Sequence, residues 1–549
     1  MIELREVSYQ YRLGGHTETA AHLGLAPPSA AGQLALDRVS LRVAPGQFVA
    51  LCGPSGCGKT TLTRLINGLV PHYYEGDLSG LALVAGLEPA KRSLWELPVG
   101  SVFQNPRTQF FTTDVCSEIA FGPENLGLPA PKIQERVDQA IVALRLRELR
   151  DRSVFALSGG EKQRLACASV AAARPDVYVL DEPSANLDSA ATDQLRQTMA
   201  LWKRSGATVV VAEHRLGYLS DLADRVVVLR DGRIEHDLEG AAFRSLSQSE
   251  LRGLGLRATV SPEFSAPGVD ALAPADGKLV IGNLVCRYGA RGKRGPSAGQ
   301  PGEALRIERL AIPKGQVSAV LGANGAGKTT LLSWLAGLRK AESGSLAEIG
   351  GGAPNSPSES GQAGGQRTKG GRAPHWTRKD RLERAFLVLQ DVNHQLFAPS
   401  VAEEVALALR FSSNRAARAN RRTRAEGAPA AERPAISAGS RNGAAALDDL
   451  AAAILAELDL AGMSDRHPLS LSAGQKQRVA LAVAMASGRE LVILDEPTSG
   501  LDLTHLEAVG EALRRLAETG KTVVVATHDP DLAAVCADNI IRLRGGRLA

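Results

Sequence analysis

GPSGCGKTT (Gly53–Thr61) follows the apolar run FVALC, and it returns as GANGAGKTT (Gly322–Thr330) after a second apolar run. Each stretch has the GxxxxGKT spacing of a loop that wraps a phosphate. Three more pieces of text also occur twice and in the same order. LSGGEKQR (Leu157–Arg164) returns as LSAGQKQR (Leu471–Arg478), and VYVLDEP (Val177–Pro183) returns as LVILDEP (Leu491–Pro497). A histidine closes a Val-rich run at His214 and again at His528. Ser158 to Ser472, Asp181 to Asp495 and His214 to His528 are each 314 positions apart. A single glycine-rich loop can arise by chance, but two ordered sets of four motifs imply a duplicated domain. Within each half, short Val-rich runs alternate with helical patterns. That is the pattern of an α/β fold with a mostly parallel sheet flanked by helices, here two P-loop NTPase domains in tandem.

The residue types explain the chemistry expected of them. Gly53, Gly56 and Gly58, with Gly322, Gly325 and Gly327, let the backbone curl so that successive N–H groups face an anion. Pro54, Ser55, Cys57, Ala323, Asn324 and Ala326 complete the two loops, and Thr61 and Thr330 follow them. Lys59 and Lys328 supply a cation to the β- and γ-phosphates of ATP, and Thr60 and Thr329 offer a hydroxyl to Mg²⁺. Asp181 and Asp495 end apolar runs, which places each carboxylate at a strand's C-terminal edge, where it can hold Mg²⁺. Glu182 and Glu496 follow as candidate general bases for the attacking water. His214 and His528 are candidate γ-phosphate contacts. Gln104 (SVFQNP) and Gln390 (LVLQDV) follow apolar runs, where an amide could reach both Mg²⁺ and the attacking water or could simply be a loop residue.

Composition sets the frame. A chain of 549 residues is too long for one core and suits two. Charged residues make up 22% and hydrophobic residues 44%, ordinary values for a globular protein, and the net charge of +5 is weak evidence for an anionic partner. No apolar run approaches the roughly 18–20 residues of a membrane span. The opening MIELREVSYQ carries charges where a signal peptide would carry its apolar core, so the chain is expected to fold in the cytoplasm. The six cysteines form no CxxC pair, which argues against zinc and against a disulfide framework.

The first half runs over residues 1–256. Pro262, Pro267 and Pro274 mark a linker over 257–277, and the second half covers 278–549. Lys59 to Ser158 spans 99 positions, but Lys328 to Ser472 spans 144. The excess falls in two low-complexity insertions, about 351–380 and 411–445, rich in Gly, Ala, Ser and Arg. Residues 410–424 hold six Arg and no acid. They read either as a disordered solvated loop or as a patch for an anionic surface, and past Phe411 no aromatic residue is interleaved for base stacking. A further insertion, about residues 16–33, separates the first two strands.

With these motifs in this order, the chain resembles an ABC-type ATPase pair over nearly all its length outside the insertions and linker. The resemblance implies a helical subdomain carrying each signature. It also implies an intramolecular dimer of the two halves with composite ATP sites, Lys59 with Ser472 and Gly474, and Lys328 with Ser158 and Gly160. Tyr11 and Tyr288 match the aromatic that stacks on adenine, and Asp188 and Asp502 match the loop that couples the sites. Ala473 and Glu161 depart from the usual Gly and Gln of the signature.

A narrower resemblance lies downstream of the two glutamines. QNPRTQFFTTDVCSEIAFGPENLGL (Gln104–Leu128) and QDVNHQLFAPSVAEEVALAL (Gln390–Leu409) are similar to the energy-coupling-factor (ECF) branch of importers, although Val392 stands where that branch usually has Pro. EHR at Glu213–Arg215 looks like the first half of fused ATPases of that branch. The resemblance implies an ATPase at the cytoplasmic face of the membrane. Its partners would be a transmembrane coupling subunit and a membrane substrate-binding subunit, for uptake of a vitamin, a vitamin precursor or a transition-metal ion. No nucleic-acid partner is expected. Phe110, Phe111, Leu396 and Phe397 would then contact the coupling subunit, or else belong to the core. Two other readings stay open: a tandem ATPase of a sugar importer, and a soluble tandem ATPase acting on ribosomes. The short, Pro-rich linker, poor in charge, speaks against the latter.

Overall fold

In a computed structural model, the structure describes residues 1–12, 34–185, 187–259, 277–287, 303–349, 375–425, 441–498 and 500–549. The insertion at 16–33, Tyr288, residues 351–374 and most of the linker at 257–277 lie outside them. The chain divides into two compact units, Met1–Ser261 with Ser499–Leu506, and Pro262–Thr498 with Glu507–Ala549.

In the first unit the strands are β1 (Ile2–Tyr11), β2 (Leu36–Val43), β3 (Phe48–Cys52), β4 (Gly76–Val84), β5 (Val99–Val102), β6 (Val177–Asp181), β7 (Thr208–Ala212), β8 (Arg225–Arg230) and β9 (Arg233–Glu239). Six of them form one sheet in the order β5-β6-β7-β3-β8-β9, parallel except for the last pair. β3 and β7 lie inside the sheet, and every residue of FVALC and TVVVA is buried. A strand covered on both faces has no reason to alternate, which explains the continuous apolar runs. β9, at the edge, reads RIEHDLE and is largely exposed. A separate antiparallel sheet, β2-β1-β4, buries the alternate residues Ile2 and Leu4 near its start.

The second unit repeats this plan with β10 (Lys278–Arg287), β11 (Glu303–Pro313), β12 (Val317–Leu321), β13 (Ser343–Ile349), β14 (Ala385–Val388), β15 (Leu491–Asp495), β16 (Thr522–Thr527), β17 (Asn539–Arg544) and β18 (Arg547–Leu548). Its sheets run β11-β10-β13 and β14-β15-β16-β12-β17-β18. Each unit is thus an α/β domain with a mostly parallel sheet flanked by helices, as the motif pattern implies.

Three helices carry the signature of the first unit: Val115–Asn125, Ala130–Ala143 and Gly159–Ala173. Ile119, Ile141 and Leu165 belong to one buried cluster. Their counterparts in the second unit are Val401–Ala425, Arg441–Glu457 and Ala473–Ala486. Here the structure departs from the disordered loop expected at 410–424, because the helix continues to Ala425. Ala and Arg are strong helix formers, so a composition that reads as low complexity is also good helix composition. The helix is packed as far as its middle turns. A Cβ on Gly488 would meet Ser412 Oγ at 2.1 Å, and Arg415 donates to the Glu383 carbonyl. The end of the first insertion is ordered as well. Trp376 is buried and donates from Nε1 to Glu348 at 3.1 Å, and Thr377 caps the helix Arg378–Arg384. Among the described residues no helix is long and apolar enough to cross a membrane.

Candidate functional site

Each phosphate loop leaves the C-terminal end of a central strand, β3 or β12, and enters a helix, Lys59–Ile66 or Lys328–Leu335. The turn needs residues without a side chain. Gly58 and Gly327 stand at φ 106° and 101°, and a Cβ on Gly53 would lie 2.1 Å from the Leu229 carbonyl oxygen. Cys57 N donates to Pro54 O at 3.3 Å, and Ala326 N donates to Ala323 O at 3.1 Å. Ser55, Gly56, Asn324 and Gly325 form the exposed tips. Gly58 and Gly327 cap their helices without a side-chain acceptor, which leaves the first-turn N–H groups open to an anion. The lysines are nearly buried and point back into the loops. Lys59 Nζ donates to Gly53 O (2.8 Å) and Pro54 O (3.0 Å), and Lys328 Nζ to Gly322 O (2.6 Å) and Ala323 O (3.4 Å).

Beside each loop stands a hydroxyl–carboxylate pair. Thr60 Oγ1 donates to Asp181 at 3.1 Å, and Thr329 Oγ1 to Asp495 at 2.7 Å. Burial, then the neighbouring Glu182 charge, lifts the Asp181 carboxyl to about 6, and burial also raises Asp495. Two hard oxygen ligands, one an anion held out of water, suit Mg²⁺.

One residue further on, Glu182 and Glu496 adopt left-handed backbone, φ 43° and 52°. A β-carbon residue in that region costs about 1–3 kcal/mol and persists only where its surroundings hold it. In both units the glutamate N–H donates at 2.8 Å to the neighbouring strand, Glu182 to Ala212 O and Glu496 to Ala526 O. Both carboxylates face a histidine. His214 Nε2 lies 3.1 Å from Glu182 Oε1, and His528 Nδ1 lies 2.8 Å from Glu496 Oε2. Burial opposes ionisation of these glutamates. The adjacent histidine and then the loop lysine outweigh it, so both carboxyls sit below their ordinary range. The units differ in the next contact. Gln104 Nε2 donates to Glu182 Oε2 at 2.7 Å, whereas Lys328 Nζ lies 3.4 Å from Glu496 Oε1. Gln390 is exposed after β14, as Gln104 is after β5.

Tyr11 is also brought to the loop. Its hydroxyl is 3.0 Å from Thr61 Oγ1, and its buried ring packs edge-on against Tyr9. Asp188 and Asp502 cap the helices that follow them, accepting from Ala191 N at 2.9 Å and His505 N at 2.8 Å. Ser158 and Ser472 are exposed N-caps of the signature helices, with Gly160 and Gly474 in the first turn. Both caps are closed reciprocally. Ser158 N donates to Glu161 at 2.7 Å, and Ser472 N donates to Gln475 at 3.0 Å. The Glu161 departure therefore keeps the cap and adds an anion at a helix N-terminus, where it is favourable.

Several residues of the site carry no motif. After each glutamine the chain makes the same staple. Gln109 accepts from Phe103 N (3.2 Å) and donates to Ser101 O (2.9 Å); Gln395 accepts from Leu389 N (2.8 Å) and donates to Leu387 O (2.6 Å). Glu118, 1% exposed, accepts from Phe111 N, Thr112 N and Thr112 Oγ1. Glu404, 3% exposed, accepts from Phe397 N and Ala398 N. The signal that could have found them is the common offset of 286 positions, shared by Gln104 and Gln390, Gln109 and Gln395, and Glu118 and Glu404. The staples divide the four apolar residues of these loops. Phe111 and Phe397 stand out, 72% and 74% exposed. Leu396 is 4% exposed, and Phe110 packs on the core. Leu396 is therefore a core residue rather than a surface contact, and Phe110 is partly buried against the core.

Two phosphate loops, each with its Thr–Asp pair and its strained glutamate facing a histidine, define a tandem P-loop ATPase. The profile of the ABC transporter family matches residues 36–185 and 305–499. A Treponema denticola protein described as an ABC transporter ATP-binding protein is 38% identical over 100% of this chain and 96% of its own length. A Methanosarcina acetivorans protein of the same description is 33% identical over 94% of this chain and 82% of its own length. At the level of fold alone, the chain is similar to a solved complex of an archaeal ribosomal stalk protein with an archaeal ribosome recycling factor. There the TM-score is 0.54 and the identity 20%, over 93% of this chain and 87% of that one. The chain belongs to the ABC transporter family. It is an ATPase with two ABC domains in tandem, and it uses ATP and Mg²⁺.

Proposed function

We propose that this chain is the ATPase subunit of an ECF importer, docked at the cytoplasmic face of the membrane. Its cargo class would be a vitamin, a vitamin precursor or a transition-metal ion. The observation that carries the reading is the pair of exposed phenylalanines, Phe111 and Phe397, at matched positions after the two glutamines. Each backbone N–H is bonded to a buried glutamate, so the two rings are presented on a fixed loop rather than a loose one. A large exposed aromatic held rigidly is the composition of a docking anchor. The transporter description of the relatives supports a membrane partner.

In the hydrolytic cycle, the loop N–H groups with Lys59 and Lys328 hold the β- and γ-phosphates. Thr60 with Asp181, and Thr329 with Asp495, would hold Mg²⁺, which would supply neutralisation of the charge that develops on the phosphates. Glu182 and Glu496 accept a proton from the attacking water, and His214 and His528 orient those carboxylates and contact the γ-phosphate. Gln104 and Gln390 link this chemistry to the loops bearing Phe111 and Phe397. The signature helix N-termini, capped by Ser158 and Ser472, are γ-phosphate contacts, and Tyr11 lies on the adenine side. Because the work is mechanical, the chemical products are ADP and phosphate.

Purification of the tagged chain from gently solubilised native membranes tests the reading. A polytopic scaffold with a small membrane-embedded binding protein is the expected result. Ribosomes, or no membrane protein at all, would overturn it.

A further inference from the structure

Glu213 is a carboxylate 2% exposed that no hydrolytic step uses. It lies one residue before His214, and its own N–H donates to Leu51 O at 2.9 Å, on the strand that leads into the phosphate loop. One carboxylate oxygen accepts from His214 N at 2.8 Å and Arg215 N at 3.2 Å. The other accepts from Ser184 N at 3.3 Å, Ser184 Oγ at 2.7 Å and the Tyr218 hydroxyl at 2.8 Å. Ser184 is fully buried and stands two residues after Glu182. The side chain therefore ties the segment carrying the glutamate to the segment carrying the histidine.

In the second unit the text changes from EHR to THD, and the acid moves across the histidine. Thr527 now occupies the position of Glu213, and it is fully buried. Asp529, 5% exposed, receives Thr498 Oγ1 at 3.4 Å, and Thr498 stands two residues after Glu496. Asp529 N donates to Thr527 Oγ1 at 2.9 Å, and Asp531 N to Asp529 Oδ1 at 3.1 Å. A weaker bridge between the same two segments is thus built from the opposite side of the histidine, and His528 N donates directly to Glu496 at 3.1 Å.

We propose that Glu213 and Asp529 are positioning residues, clamps that hold each strained glutamate and its histidine in working register. A glutamate in left-handed backbone springs back unless its neighbours over-determine it, and the clamp fixes the chain two residues further on. Two different residues making one connection at one place points to the connection itself as what is needed. The proposal rests on the assignment of Glu182 and Glu496 as bases.

The test is steady-state ATP hydrolysis by the full chain. The pair Glu213→Gln with Asp529→Ala sets an amide NH2 against backbone N–H donors in the first unit and removes the acceptor of Thr498 Oγ1 and Asp531 N in the second. It is expected to lower kcat at least about 10-fold, the scale of misplacing a reacting group, and to leave KM within about 2-fold. Ser184→Ala with Thr498→Val removes one bond per unit, and should show a smaller fall in kcat should the first pair fail to fold. In the Asp529→Ala background, Glu213→Thr alone should be slow, and Glu213→Thr with Arg215→Asp, which copies the second unit's arrangement, should recover at least half of the lost kcat. Wild-type kcat in the clamp variants, a change confined to KM, or no recovery on transplanting the pattern would overturn the proposal. Turnover of Glu182→Gln with Glu496→Gln separates the two ideas. Inactivity there with unaffected clamp variants removes the clamp alone, and activity there removes the base assignment.

Discussion

Glutamine at both Glu182 and Glu496 is expected to leave ATP binding intact and to lower turnover by about 10²–10⁴-fold. The substitution keeps size and shape, so the tight surroundings of both side chains, 13% and 7% exposed, need not repack. The backbone is unchanged too, because Gln tolerates the left-handed region no worse than Glu does. What is lost is the lone basic oxygen that takes the water's proton. Binding rests on other groups, the loop N–H donors and the lysines, whose partners in the first unit are the Gly53 and Pro54 carbonyls. In the second unit Lys328 also lies 3.4 Å from Glu496. Nucleotide binding by equilibrium fluorescence, measured beside phosphate release, checks both halves of the claim. Turnover like that of the wild type would sink the general-base assignment.

Glutamate at both Phe111 and Phe397 is expected to abolish association with membranes and to leave ATP hydrolysis in solution within about 2-fold. Both rings are mostly in water, so the fold loses little. For Phe111 the loss includes its stacking on Phe121, centroids 4.8 Å apart, a contact of about 0.5–1.5 kcal/mol. The same change at Leu396 would instead bury a charge, and the domain would unfold. The two outcomes are told apart by circular dichroism and by flotation with membranes from the native host. A doubly substituted chain that still floats would refute the docking assignment.

The candidate site was legible because the spacing of its motifs is rigid. A phosphate loop needs glycines at fixed intervals, and an acid at a strand end is visible as LDEP. What stayed hidden was chemistry without a motif. Glu118, Glu404 and Glu213 are buried carboxylates that each accept from at least two backbone N–H groups, and backbone donors leave no trace in sequence. Adjacent apolar pairs such as Phe110–Phe111 could not be divided either, because a loop has no periodicity to say which residue turns inward. The antiparallel β2-β1-β4 sheet was missed for a related reason, since β4 returns to pair with β1 from the far side of the phosphate loop. At residues 410–425 the error lay in reading bias as disorder when Ala and Arg favour a helix. The adenine contact expected of Tyr288 falls outside the described residues.

The strand order carries a consequence for synthesis. β3, which bears the first phosphate loop, is flanked by β7 and β8, and Gly53 is fitted against the carbonyl of Leu229. β12 is likewise flanked by β16 and β17, and Gly322 faces Leu543. On a translating ribosome the loop sequence emerges early, but the wall it is moulded on arrives only after the whole helical subdomain has been made. Non-local pairings of this kind form late. Each half therefore gains its grip on nucleotide as one of the last acts of folding, and a nascent chain that has delivered its phosphate loop does not yet sequester ATP.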